Sequence, residues 1–427
     1  MSLNTQIRKR TLGLSRKINM EFAVDRMKLK ETCRLPNAPI DGIEDPTASK
    51  GPLASTRLNR DTIAVANEDG YVNLLRVSKL KPIVHWLAHE NAIFDIKTFP
   101  DQDKLITASG DATIRIWDVE QKKEILKFVP HFSTVKSVSI YERNIIASGS
   151  RDGAIKVHDL RLRDPTIIVI KDAHRNLILR KSVPKSTKTD PISCVTNVVF
   201  DPHFPRIYSA GANDATIKLW DLRNNTQNSR PKRTREGLLI LHQAYQEIHH
   251  PSKGLHCGYA HLLISSGRLY AACSDNKIYR YDNFATDSQP STRFTGFRYD
   301  NCLRLAIMED RFLFSGSKRG GALMWSLGSG ESSLYYPETT KNPIGELRAD
   351  MADTYDTNAL EADWESLSLI SFRDDGLVCK WTMQHVSELE RKALLENDNL
   401  LSVNDDISIH MSDIIGVNVP RHNGRPN

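Results

Sequence analysis

Several groupings in this 427-residue sequence have the residue types and spacing to do chemistry. His89, Ser109 and Asp111 are the base, nucleophile and orienting acid of an acyl-transfer triad, in which imidazole takes the serine proton and a carboxylate steadies the imidazole. No nucleophile elbow or oxyanion motif surrounds Ser109, and the same residue types recur along the chain, so the grouping reads as structural and the chain as non-catalytic. His242, His249, His250, His256, Cys257 and His261 crowd one stretch with imidazole and thiol donors. Their spacings do not match a zinc module, so no metal is expected. Gly328-Ser-Gly-Glu-Ser-Ser lacks the third glycine of a nucleotide fingerprint, and no cofactor is expected either. What remains is binding chemistry. Ile155-Lys-Val-His-Asp-Leu-Arg161 and Ile217-Lys-Leu-Trp-Asp-Leu-Arg223 each place an Arg two residues after an Asp. A guanidinium held by a carboxylate is pre-organised to donate hydrogen bonds to a partner, and Arg is enriched at interface hot spots.

The elements that position these residues are repeats. Leu105-Ile-Thr-Ala-Ser-Gly-Asp-Ala-Thr-Ile-Arg-Ile-Trp-Asp118 reappears from Ile146 to Asp159 and from Ile207 to Asp221. Thr113 and Arg115 alternate with Ile114 and Ile116 at the period of a strand, and Asp-Ala, Asp-Gly and Asn-Asp pairs supply turn chemistry, so each copy is two short strands about a tight turn. Weaker copies surround Asp69, Asp275, Arg319 and Asp375, making seven. The steps between successive turn positions are 42, 41, 62, 61, 44 and 56 residues. Three fit a repeat of roughly 40–45 residues, and the longer ones are the same unit with an inserted loop.

The pattern resembles a seven-bladed WD-repeat β-propeller: Trp-Asp occurs at 117–118 and 220–221, and His89 and His131 lie about twenty residues before a turn Asp. The expected fold is all-β, with a basic N-terminal arm over 1–50, the propeller over 51–385 and a C-terminal helix and tail over 386–427. By that resemblance His89, Ser109, Asp111 and Trp117 form a buried hydrogen-bond tetrad. The third copy departs with His158 for Trp, the sixth with Arg319 at the turn Asp, and the seventh with Ser371-Phe-Arg. The closing strand of the last blade is left to either the arm or the residues near Trp381.

Charge sorts the segments outside the repeats. Lys and Arg number 58 against 52 Asp and Glu, a formal net of +6, too mild for a dedicated nucleic-acid coat. Residues 1–30 hold eight basic and two acidic residues, and their interspersed apolar residues suit a partner-docking segment. The insert Asn176–Asp190 is basic, and Arg230-Pro-Lys232-Arg233-Thr-Arg235 reads as a nuclear import cluster or an acidic-partner patch. Beyond Trp381, Ser387 and Glu390 form a capping-box pattern before an acidic tail. Six widely spaced cysteines without a C-x-x-C pair suit a reducing compartment. No apolar run approaches the roughly 18 residues of a membrane span.

A closer resemblance lies in Ala64-Val-Ala-Asn-Glu-Asp-Gly-Tyr-Val, Trp86-Leu-Ala-His-Glu-Asn-Ala-Ile-Phe-Asp95 and Leu105-Ile-Thr-Ala-Ser-Gly-Asp-Ala-Thr. These are similar to the first blades of the denticleless family, and the Ala-His-x-Asn-Ala-Ile-Phe-Asp string is specific because generic WD repeats carry Gly-His there. The likeness is good over about residues 60–225 and thins afterwards. It implies a non-catalytic substrate receptor of a cullin-4 RING ubiquitin ligase, acting in the nucleus. Such a receptor presents PCNA-bound replication-licensing factors or ribonucleotide reductase inhibitors for destruction in S phase and after DNA damage. The Asp-x-Arg pairs Asp159/Arg161 and Asp221/Arg223 resemble the box by which such receptors dock on the damaged-DNA-binding adaptor, and through it on cullin-4 and the RING subunit. Longer members also carry a clamp-binding motif in a low-complexity tail, which has no counterpart up to Asn427. The competing expectation is a nuclear WD scaffold for chromatin or RNA; direct nucleic-acid binding is not expected.

Overall fold

The computed structural model describes residues 27–36, 51–101, 103–174, 193–223, 232–233, 238–241, 243–251, 257–284, 289–296, 304–308, 310–317, 321–327, 339–348, 355–363, 366 and 368–383. They form seven β-sheets and no helix. Blade 1 runs antiparallel through Pro52–Asn59, Thr62–Asn67, Tyr71–Arg76 and Lys81–Leu87, and blade 2 through Ile93–Thr98, Lys104–Ser109, Ile114–Asp118 and Lys123–Phe128. Blades 3 to 6 begin at Val135–Glu142, Val195–Phe200, Tyr259–Ser265 and Leu305–Met308. The second strands are almost wholly buried, whereas the outer strands Lys81–Leu87 and Lys123–Phe128 alternate in exposure from residue to residue. That contrast follows from position: an inner strand is covered on both faces by neighbouring blades, and an outer strand meets water.

Each hydrophobic cluster joins two adjacent blades. Ile106, Ile116, Val138 and Ile146 join blades 2 and 3; Ile155, Val157, Val198 and Trp220 join blades 3 and 4. The ring closes where Ile63, Val65 and Leu75 of blade 1 pack on Ile370, Phe372 and Val378 of blade 7. Blade 7 comprises Thr357–Asp363, Ser368–Arg373 and Leu377–Met383, and its outer strand is Met27–Arg34, paired antiparallel from Met27↔Met383 to Arg34↔Leu377. Both candidates for closure therefore meet in one sheet, and part of the segment grouped with the arm before residue 51 belongs to the propeller. Pairing a strand from one end of the chain with three from the other covers an edge that would otherwise be open.

The turn between second and third strands is the same in six blades. The residue after the turn Asp is left-handed in each: Gly70, Ala112, Gly153, Ala215, Asn276 and Gly376, with φ from 55° to 85°. Glycine adopts this without strain, whereas Ala112 and Ala215 do so against the cost of Cβ. The Asp carboxylate accepts the amide two residues on, as in Thr113 N to Asp111 Oδ1 at 2.9 Å and Ala154 N to Asp152 Oδ1 at 2.9 Å.

Two long inserts return to the preceding blade. Leu239–Leu241 pairs in parallel with Thr166–Ile170 at the edge of blade 3, and Thr339–Lys341 with Thr292–Phe294 at the edge of blade 5. The stretch Lys232–Arg233 adds a further short strand to blade 3, while Arg230 and Arg235 of the basic cluster lie outside the described residues. The same holds for residues 176–190, Arg319, the glycine-containing segment at 328 and the capping-box pattern at Ser387.

Candidate functional site

Inside blades 2, 3 and 4 a set of buried polar residues satisfies itself. In blade 2 the indole N–H of Trp117 donates to Thr107 Oγ1 (3.1 Å), Thr107 Oγ1 meets His89 Nε2 (2.7 Å), and His89 Nδ1 meets Asp111 Oδ2 (2.9 Å). The tetrad hydroxyl is thus Thr107 and not Ser109. Both lie on one face of the same strand, but Thr107 pairs opposite Arg115, within reach of both rings, whereas Ser109 stands at the strand end. Ser109 instead donates to the carbonyls of Asn91 and Ala92 and accepts the Asp111 amide. Burial holds His89 below its ordinary pKa, with Asp111 opposing, so the imidazole is neutral and donates from Nδ1.

Blade 3 keeps this arrangement despite losing its tryptophan: His131 binds Asp152 and Ser148, and His158 Nε2 meets the same Ser148 hydroxyl at 2.8 Å in place of the indole. Blade 4 uses His174, Asp214, Ser209 and Trp220. His174 escapes a search twenty residues before the turn because the insert places it forty before Asp214. In blade 7, Trp381 donates to Ser371 at 3.1 Å. These hydroxyls sit within closed internal networks, so none is poised as a nucleophile.

The third strands carry the Asp-x-Arg pairs to the opposite end of the blades from the Asp turns. Asp159 ends strand Ile155–Asp159, and Asp221 ends Thr216–Asp221. Arg161 donates from Nε to Asp159 Oδ1 (2.9 Å) and from Nη2 to Oδ2 (2.7 Å), a bidentate fork reinforced by its own amide on Oδ1 (3.0 Å). Arg223 repeats the fork on Asp221 at 3.2 and 3.1 Å, and Arg206 adds a third donor at 3.1 Å. Burial acts to raise both carboxyls, but the Arg hydrogen bonds outweigh it and hold them below the usual carboxylate range. The Arg161 side chain remains 60% exposed and that of Arg223 29%. Each pair sets a buried carboxylate against a guanidinium that still reaches solvent, so its clearest consequence is to fix where the guanidinium N–H groups point.

Residues outside the two motifs complete this face. Phe204 and Tyr245 are exposed, and Arg206 lies between their rings, 5.0 and 5.6 Å from the centroids. Arg223 lies 5.7 Å from the Phe204 centroid, and Leu162 is exposed beside Arg161. The only sequence signal for Phe204 is an apolar residue inside the turn Asp-Pro-His-Phe-Pro-Arg206. Exposed aromatic rings interleaved with arginines are the composition of an interface hot spot. At the other end of blade 3, Phe132 is 96% exposed and Lys156 Nζ lies 5.6 Å from its ring.

Comparison with known proteins follows this geometry. The WD domain, G-beta repeat, matches residues 80–118, 122–159 and 182–221. The chain is a WD-repeat protein folded as a seven-bladed propeller. It is 31% identical to Denticleless protein homolog A of Xenopus laevis over 62% of this chain and 40% of that protein. The human Denticleless protein homolog is 30% identical over 62% of this chain and 38% of its own length, and Protein lethal(2)denticleless of Drosophila melanogaster 28% over 78% and 46%. These matches bear out the resemblance carried by the Ala88–Asp95 string: the chain is similar to denticleless proteins over 62–78% of its length. The chain spans about two fifths of the length of the curated relatives it matches.

Proposed function

We propose that this chain is the substrate-recognition subunit of a cullin-4 RING ubiquitin ligase. It docks on the damaged-DNA-binding adaptor through the face containing Asp159, Arg161, Asp221 and Arg223, and the adaptor connects it to cullin-4 and the RING subunit. The observation that carries this reading is the pair of carboxylate-held arginines on neighbouring blades, set beside exposed Phe204 and Tyr245. The opposite face, with Phe132 and Lys156, presents PCNA-bound replication-licensing factors or ribonucleotide reductase inhibitors for ubiquitination. The receptor works in the nucleus, a reading supported by the family resemblance and the basic segment Arg230–Arg235.

The test is affinity capture of the intact chain from cells, followed by mass spectrometry for adaptor and cullin. Truncating a central interface arginine costs about 2 kcal/mol or more, roughly a thirtyfold loss of affinity. Arg161→Ala combined with Arg223→Ala should therefore deplete the adaptor while leaving the circular dichroism spectrum unchanged. Undiminished adaptor recovery with the double variant would overturn the docking assignment. Capture dominated by RNA or chromatin, falling steeply with salt, would favour the scaffold reading instead.

A further inference from the structure

Blade 5 departs from the other tetrads in a way that changes its chemistry. Its register aligns Ala271 with Thr107 of blade 2 and Tyr281 with Trp117, so both hydroxyl and indole are missing. Two thiols stand nearby, Cys273 at the position of Ser109 in blade 2 and Cys257 at that of Asn91. Cys273 ends strand Arg268–Cys273, Cys257 enters the blade just before Tyr259–Ser265, and His250 lies in the connection from blade 4. The ligand atoms of these three residues all lie within 4.8 Å of one another, and all three residues are buried. In sequence they are seven and sixteen residues apart, which is why spacing alone shows no zinc module.

The histidine ring is also turned. His89, His131 and His174 meet their Asp through Nδ1, whereas His250 meets Asp275 through Nε2, at 3.2 Å. Tyr279 stands 3.0 Å from the same nitrogen and donates to Asp275 at 2.6 Å. With Nε2–H directed to a carboxylate, coordination would fall to Nδ1, its proton displaced by the ion. A carboxylate fixing the tautomer of a histidine whose other nitrogen coordinates is the usual second layer of a zinc site.

We infer that His250, Cys257 and Cys273 form a binding site for a thiophilic d10 metal ion, with zinc the ion to test. Two thiolates neutralise a divalent cation, which removes the penalty of burying the charge. Metal bonds of about 2.0–2.3 Å on a tetrahedron place donors roughly 3.3–3.8 Å apart, so donors that already lie within 4.8 Å of one another need only small side-chain shifts to load. Three protein ligands leave the fourth position to water. The ion would pin the blade 4 to blade 5 connection onto the second strand of blade 5. There Gly258 passes so close to Ala212 that a Cβ would overlap its carbonyl.

The test is metal analysis of the intact chain, purified without chelator or affinity metal and dialysed. About one zinc per chain is expected in the wild type and less than about a tenth in Cys257→Ser and in Cys273→Ser. Cobalt substitution of the wild type should give the near-ultraviolet thiolate-to-cobalt charge-transfer band. Wild-type analysis stands even where a variant fails to fold. Zinc-free protein lacking the cobalt band overturns the site, as does a Cys257–Cys273 disulfide in the denatured, unreduced chain.

Discussion

The placement of the tetrad hydroxyl yields a prediction that separates two residues on one strand face. Thr107→Val keeps the shape of the side chain and deletes its hydroxyl. In the native blade that oxygen accepts from Trp117 Nε1 at 3.1 Å and lies 2.7 Å from His89 Nε2, with the Arg115 carbonyl at 3.3 Å. Trp117 and His89 are buried, so no water replaces what is lost. Each buried polar group left without its partner costs about 1–3 kcal/mol, and two of them give roughly 2–6 kcal/mol. Ser109→Ala removes a hydroxyl that is also buried, but its partners, the carbonyls of Asn91 and Ala92 and the amide of Asp111, belong to exposed or half-exposed residues at the strand end, and the change should cost about 1 kcal/mol. Urea unfolding followed by tryptophan fluorescence compares them directly: the midpoint should fall at least twice as far for Thr107→Val as for Ser109→Ala. Thr107→Ser should recover most of the loss. An equal or larger effect at Ser109 would refute the assignment of Thr107 as the shared hydroxyl.

Further outcomes follow from the same geometry. Burial lowers the pKa of His89, His131, His158 and His261, so below pH 6.5 the unfolded chain takes up protons that the folded chain resists. Stability should therefore drop as pH falls from 7 towards 5, against the single upward shift among the described histidines, at His250; a thermal midpoint constant over that range would contradict this. Ala112→Gly and Ala215→Gly relieve left-handed alanines at a cost of about 1–2 kcal/mol each, offset by glycine's entropy, and should stabilise by roughly 0.5–1 kcal/mol in denaturant titrations. Deleting residues 1–34 strips the outer strand from Leu377–Met383 and exposes its edge, so gel filtration should show aggregation in place of a monomer peak.

The blades were legible because their interiors are built from local chain. Strand alternation, the Asp turn and the Trp-Asp pair all lie within fifteen residues, so Leu105–Asp118 announces its own hairpin. The errors begin where a contact spans an insert or depends on register. Ser109 and Thr107 differ by one pleat period and share a face, and only the pairing of Thr107 with Arg115 distinguishes them. His174 belongs to Asp214 across an insert, and Cys257 and Cys273 converge only when two strands of blade 5 pair. The proposed docking face obeys the same rule in a stronger form. Asp159 and Arg161 are visible as a motif because one strand end carries both. Phe204, Tyr245 and Arg223 come from separate stretches of the connections of blade 4 and Arg206 from the start of its second strand, and only Phe204 and Arg206 are close in sequence. A repeat fold constrains each blade's interior identically and leaves the loops at its ends free to vary, so the residues that distinguish one propeller's partners from another's are those that periodicity describes least.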